Sequence, residues 1–310
     1  MTSKGTVAIE EAVVNPDDIA WLAETGALYA PSNASGQSSH HALTQKLADI
    51  HDQRLQRMDA EGVDYMLLSI TSPGCQGEPD ATRANKLAVT SNDWLAREVA
   101  RNPSRFGGLA ALSMHDATEA AIELRRAVKE LGMFGALLND FQSSGPNGAG
   151  TKYYDGDEYH VFWKTVEELD VPVYMHPRYP PAPELQPDGK YGPRKHLIGA
   201  AVQFHLDLSF HIYALCSSGI FDLFPRAQIV AGHLGEGYVL LKNTSIFWSL
   251  YGMLGRYLTS RLVFRSIFGE QTIGTTSPSK KQHGHRSKTT VTTSLTTSLL
   301  PLQGTSRLMD

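Results

Sequence analysis

Val171-Pro172-Val173-Tyr174-Met175-His176-Pro177-Arg178 is an apolar run that stops at a histidine, and Ile229-Val230-Ala231-Gly232-His233-Leu234-Gly235-Glu236 repeats the pattern. A buried strand that delivers an imidazole at its C-terminal tip is how a parallel (β/α)8 barrel builds a site, because all its strand C-termini open on one face. A third run, Thr6-Val7-Ala8-Ile9-Glu10-Glu11, ends in carboxylates. Two imidazoles and a carboxylate converging from separate strands make a donor set for a divalent cation such as zinc. Side chains alternate along a strand, so Glu10 and Glu11 point to opposite faces and one of them alone can reach such an ion. Each group by itself also has a plain structural use, as a hydrogen-bonded strand-end histidine or a solvated carboxylate. Their shared position at strand ends favours the cation site.

The segments around these runs alternate in period. Strand patterns cover 6–10, 63–70, 106–112, 134–139, 171–176 and 227–233; helical patterns cover 43–61, 82–101, 117–131, 156–169 and 197–217. Gly62, Asn102-Pro103, Gly132 and Gly219 supply the helix stops. Strands alternating with helices of this length imply a parallel sheet with helical crossovers. No glycine-rich phosphate loop follows the first strand, which separates the chain from doubly wound nucleotide-binding folds. The expected fold class is therefore α/β, a (β/α)8 barrel that lacks its last strand–helix units. Residues 246–268 read as apolar helix, and nothing after them reads as two further strand–helix pairs.

Composition agrees with that reading. The 310 residues are 41% hydrophobic, enough for one large barrel or two smaller domains. A net charge of −4 shows no nucleic-acid signature, and Cys75 and Cys216 alone exclude a disulfide framework or a cysteine metal cluster. No apolar stretch reaches the roughly 20 residues of a membrane span, and the N-terminus lacks a signal-peptide core. A cytoplasmic protein without nucleic-acid or membrane partners is expected. Charge is uneven, however. Residues 243–310 hold eight Lys or Arg against two acids, whereas 1–242 hold 20 against 30. The expected organisation is an incomplete barrel domain over 1–242 and a basic, Ser/Thr-rich tail over 243–310, partly helical and then disordered.

Further candidates flank the histidines. Glu236 lies one turn beyond His233 if a helix starts there, placed to bond an imidazole or move a proton. Its alternative is a carboxylate favoured by the helix dipole. Arg178 is placed to receive a substrate carboxylate, or else is an exposed arginine. Asn139 and Asp140 end the fourth strand on the same face. His205, His211, His283 and His285 have no comparable strand-end setting.

In order along the chain, Glu10-Glu11-Ala12, Phe106-Gly107-Gly108-Leu109-Ala110-Ala111-Leu112-Ser113, Gly135-Ala136-Leu137-Leu138-Asn139-Asp140, Tyr174-Met175-His176-Pro177-Arg178 and Gly232-His233-Leu234-Gly235-Glu236 together resemble the metal-dependent aromatic decarboxylases of the amidohydrolase superfamily. The resemblance runs from about Gly5 to Gly237 and covers the dihydroxybenzoate, γ-resorcylate and orsellinate types, with aminocarboxymuconate semialdehyde decarboxylase in the wider group. It implies a (β/α)8 TIM-type barrel with one divalent metal, zinc first and manganese as the alternative, and no organic cofactor. Glu10 and His176 match metal ligands. His233, near or on the metal, matches the catalytic histidine, with Glu236 as its acidic partner. Arg178 and Asn139 would contact substrate. Ala12 stands where many relatives carry a histidine, as in the dihydroxybenzoate branch.

The implied reaction is non-oxidative decarboxylation of a small ortho-hydroxylated aromatic carboxylic acid, such as a polyketide acid of secondary metabolism, by a homo-oligomer. The chain also departs from the pattern. The family supplies a late-strand aspartate ligand, and no aspartate occurs between Asp222 and Asp310. The family arginine after the Gly-His-Leu-Gly-Glu segment has no match either. Two other readings therefore stand beside the first: an inactive relic or partner-binding subunit, and a metal-dependent hydrolase of a lactone or amide, which the same barrel can host.

Overall fold

Short β-branched runs punctuated by glycine and proline alternate with amphipathic helices, and the chain folds accordingly. The computed structural model describes residues 5–29, 37–200 and 202–233. Strand β1 (Thr6–Val13) leads to helices α1 (Ile19–Tyr29), α2 (Gln37–Ala48) and α3 (Gln53–Glu61). Strand β2 (Val63–Ile70), helix α4 (Ala81–Arg101), the short strands β3 (Phe106–Gly108) and β4 (Ala110–Ala111), and helix α5 (Ala117–Lys129) follow. Next come β5 (Ala136–Asn139), a hairpin of β6 (Gln142–Ser144) and β7 (Gly150–Lys152), α6 (His160–Leu169), β8 (Pro172–His176), α7 (Gln203–Ser217), α8 (Ile220–Leu223) and β9 (Gln228–Ala231).

All pairings except the hairpin are parallel, in the orders β1-β2-β3 and β4-β5-β8-β9. One run of chain joins the two sheets. The Leu109 N–H donates back to Leu68 O at 2.9 Å, while the Ala110 N–H donates forward to Gly135 O at 2.8 Å. The parallel strands thus make one wall of an α/β barrel, with β3 and β4 sharing a single position. Asn92 of α4 serves the backbone at this junction. Its Oδ1 accepts from Ala111 N–H at 2.8 Å and its Nδ2 donates to Ala111 O at 2.9 Å, so a buried side chain replaces ladder bonds.

Helix boundaries follow capping chemistry. Asp80 accepts from the Arg83 N–H, and Asp116 from the N–H groups of Thr118 and Glu119. Each such cap contributes about 1 kcal/mol. Gly62, at φ +68°, closes α3 in the left-handed turn that a side chain disfavours, and β2 extends from it. The main core lies between strands and helices and includes Leu68, Phe106, Leu112, Phe162, Trp163 and Val166. A second cluster, Leu109, Leu137 and Tyr174 with Val230, fills the barrel interior.

Three expected elements change. The helix over 43–61 is two helices, because Asp49 accepts from the N–H groups of Asp52 and Gln53 and opens the chain between α2 and α3. The strand over 106–112 divides at the sheet junction. The helix expected from 197 begins at Gln203, after a 3-10 turn at Ala182–Leu185 and a kinked 3-10 segment at Gly192–Leu197. Helix α1 and the β6–β7 hairpin carry no strong period and are additions. Among the described residues no helix is long and apolar enough to cross a membrane. Glu236, the apolar segment 246–268 and the tail 243–310 lie outside the described residues.

Candidate metal centre

Strand β1 is irregular where it matters. Ala8 pairs with Met66 and Glu11 with Leu68, so Ile9 and Glu10 together oppose the single residue Leu67. Such a bulge bends the strand and re-aims its side chains. Glu10 turns toward the ends of β8 and β9. Glu11 turns away and accepts from Arg54 Nη1 at 3.2 Å. Burial raises the Glu11 carboxyl above its ordinary range, and the Arg54 charge works against that rise.

His176 is the last residue of β8, and His233 stands two residues beyond β9. Glu10 Oε1 lies 3.5 Å from His176 Nε2 and 3.2 Å from His233 Nε2. One donor atom from each of the three residues lies within 4.8 Å of the others. Glu10 Oε2 is occupied differently, accepting from the Tyr174 hydroxyl and from the His233 backbone N–H at 3.2 Å. Burial, and then the Glu10 charge, raise the Tyr174 phenol well above its ordinary range, so it stays a donor. Burial is also the largest influence on His176. It lowers the ring to about 4 against the pull of Glu10, and so favours the neutral imidazole that can offer a lone pair.

The backbone at His233 is held in place from two sides. Its φ is +48°, left-handed for a residue with a side chain, at a cost of about 1–2 kcal/mol. The Gly232 N–H donates to Met175 O at 2.8 Å, and the His233 N–H is bound to Glu10. A Cβ on Gly232 would sit 2.7 Å from Met175 O and 2.9 Å from Tyr174 Cε1. Gly232→Ala is therefore expected to push the end of β9 off β8 and destabilise the chain by about 1–3 kcal/mol, read by urea unfolding. An unchanged midpoint would show that this contact has slack.

These residues fit a divalent cation. Two imidazole nitrogens and one carboxylate oxygen are donors that zinc and manganese both accept, and three protein donors leave room for substrate. Ligands about 2.1 Å from a common ion stand roughly 3.0–3.5 Å from one another, and Glu10 Oε1 keeps 3.2 and 3.5 Å to the two nitrogens.

The other expected residues lie elsewhere or do other work. Arg178 is neither exposed nor open to a ligand on its terminal nitrogens. It is 2% exposed; Nη1 donates to Gln76 O and Phe141 O at 2.9 Å, Nη2 donates to Ser143 Oγ at 3.0 Å, and the guanidinium lies over the Phe141 ring. A substrate carboxylate would have to displace these bonds. Asn139 pairs with His176 across the β5–β8 ladder, and its Nδ2 donates to Pro73 O at 3.0 Å. Among the described residues its Oδ1 is buried without a hydrogen-bond partner, beside a small cavity lined by Ile70, Gly74, Cys75 and Gln76. Burial pushes the Cys75 thiol up to about 12, which removes it as a nucleophile.

Tyr174 and Phe204 were not singled out from the sequence, and His205 and His211 were set aside there for want of a strand-end position. Tyr174 looks like a core aromatic, yet it sits two residues before His176 and so on the same strand face, a parity that marks it. Phe204 and His205, at the start of α7, bring their rings to 5.5 and 6.2 Å from the His233 ring. His211 is fully buried on α7. The Tyr154 N–H donates to its Nε2 at 3.1 Å, so Nδ1 carries the proton that faces Asp140 Oδ1 at 3.1 Å. The Asp140 N–H donates to His176 O at 2.8 Å, which links this pair to the centre.

Comparison with known proteins points the same way. The Amidohydrolase family model matches residues 38–258. The chain is 45% identical over 196 residues to the gamma-resorcylate decarboxylase of Polaromonas sp. strain JS666, covering 63% of this chain and 59% of that one. It is 40% identical over 235 residues to the gamma-resorcylate decarboxylase of Rhizobium radiobacter, covering 76% and 68%. The chain thus spans about three fifths to two thirds of the length of these curated relatives. The crystal structure of 2,6-dihydroxybenzoate decarboxylase from Rhizobium aligns at a TM-score of 0.68 with 38% identity, covering 77% of this chain and 69% of that one. The dihydroxybenzoic acid decarboxylase of Polaromonas sp. JS666, solved with bound manganese and the inhibitor 2-nitroresorcinol, aligns at 0.68 with 38% identity, covering 79% and 71%.

Proposed function

Because this chain belongs to the amidohydrolase family, we propose that it decarboxylates an ortho-hydroxylated aromatic carboxylic acid, without oxidation, at a divalent cation held by Glu10, His176 and His233. The observation that carries the proposal is the convergence of those three donors within 4.8 Å. The substrates named for its relatives, gamma-resorcylate and 2,6-dihydroxybenzoate, supply the substrate class.

When bound, the ion would supply positive charge to hold the substrate carboxylate and its ortho oxygen and to offset charge built up during reaction. The residues do the rest. Glu10 Oε1 and His176 Nε2 fix the position of the site. His233, presented by its left-handed backbone and backed by Phe204, would keep Nε2 toward the ion and deliver the proton of its other ring nitrogen, Nδ1, to the ring carbon that bears the carboxyl group. Aromaticity breaks there, the bond to the carboxyl carbon cleaves, its electron pair restores the ring, and CO2 leaves. Glu236, three residues further along the chain, returns the proton to His233. Asn139 Oδ1, a buried acceptor, receives a ring hydroxyl. The chemistry is assigned to residues 1–242, with 243–310 as a separate tail.

Manganese is the first ion to test, since it is bound in the Polaromonas neighbour, and zinc the second. Stripped protein should release CO2 from 2,6-dihydroxybenzoate or a related ortho-hydroxybenzoate after reloading and not before. The lack of any aspartate between Asp222 and Asp310 supports a second reading, a cation-binding chain without turnover. Cation uptake without CO2 release would select that reading; no uptake and no CO2 would overturn both.

A further inference from the structure

A glutamate can offer a cation one oxygen or two, and here the second oxygen is already engaged. Glu10 Oε2 accepts from the Tyr174 hydroxyl and the His233 N–H, whereas Oε1 faces both imidazoles. The Tyr174 ring has little freedom. It is 5% exposed and packs in the barrel interior with Leu109, Leu137 and Val230, which aims its hydroxyl at Glu10 Oε2. Glu10, by contrast, is an exposed side chain with several rotatable bonds on a bulged strand. Ordering it at the moment of cation binding would weaken binding, because lost rotamer freedom opposes association.

We propose that Tyr174 is a positioning residue for Glu10: its hydroxyl holds Oε2, fixes the carboxylate before a cation arrives, and restricts Glu10 to one-oxygen coordination. The inference rests on the metal-centre reading above and adds a selectivity rule to it. One-oxygen carboxylate ligation suits small ions such as manganese and zinc, while two-oxygen ligation suits the larger calcium ion.

The test is a comparison of Mn2+ and Ca2+ affinity, by calorimetry on the full chain, for wild type, Tyr174→Phe, Glu10→Gln and the double variant. Removing the hydroxyl leaves the ring in its cluster, and a thermal melt of the stripped protein checks that Tyr174→Phe folds; Glu10→Gln reads the same coupling from the other side. Mn2+ affinity should fall about 10- to 100-fold in Tyr174→Phe, with Ca2+ affinity falling less. In the Glu10→Gln background the same change should move Mn2+ affinity less than about 2-fold, since coupled neighbours are non-additive. Unchanged Mn2+ affinity in Tyr174→Phe, or an equal loss in both backgrounds, overturns the role of Tyr174 and leaves the metal centre standing. Wild type that takes up neither Mn2+ nor Zn2+ overturns the metal-centre reading and this inference with it.

Discussion

Replacing His176 with alanine is expected to lower Mn2+ or Zn2+ affinity by roughly 100- to 1,000-fold and to bring CO2 release to background. The size follows from ligand arithmetic: a four-ligand zinc site worth about 10–16 kcal/mol averages about 2.5–4 kcal/mol per ligand. His176 is one of three converging donors, and its Nε2 faces Glu10 Oε1 at 3.5 Å. The substitution removes the ring and leaves the backbone ladder between Asn139 and His176 in place, so β8 should keep its register. Calorimetric titration reads the affinity, and circular dichroism reads the fold. Affinity within about threefold of wild type would remove His176 from the donor set and move the centre elsewhere.

His211→Leu is expected to destabilise the chain by about 2–4 kcal/mol, the cost of leaving a buried carboxylate and a buried N–H without their hydrogen-bond partner. Asp140 is 1% exposed and loses the imidazole donor to its Oδ1, while the Tyr154 N–H loses its acceptor. The effect reaches the site, because the Asp140 N–H holds the carbonyl of His176. Urea unfolding gives the magnitude. Adding Asp140→Leu should recover most of it, since replacing both members of a buried pair with apolar residues is often neutral. A single variant that loses under about 1 kcal/mol would mean that water or another donor already serves Asp140.

Local order was legible because its causes are local. Val63–Ile70 forms a strand over the same residues that the apolar run predicts, since Gly62 ends one element and starts the next. Helices α4 and α5 begin behind the aspartates that cap them. The errors have a common cause too. Asp49 splits 43–61 by bonding the backbone three and four residues ahead, a competition that hydrophobic spacing does not register. Strand 106–112 divides because its hydrogen bonds go to two different neighbours, Leu68 and Gly135, and only the joining of the two sheets determines which.

The sequence by itself determined the strand–helix alternation, the parallel barrel and the strand-end placement of Glu10, His176 and His233. Each depends on periodicity and on chain punctuation, which act over a few residues. Tertiary structure alone decided how those groups meet. The bulge that turns Glu10 inward is a matter of register between β1 and β2. The hydroxyl that holds it comes from Tyr174, on a strand 164 residues away. Arg178 passes from candidate ligand contact to buried clasp because the hairpin strand β6 and the segment after β2 bring carbonyls and a hydroxyl around it. Directional bonds between distant segments are set by how the sheet curves and closes, and that geometry belongs to the assembled barrel rather than to any stretch of chain within it.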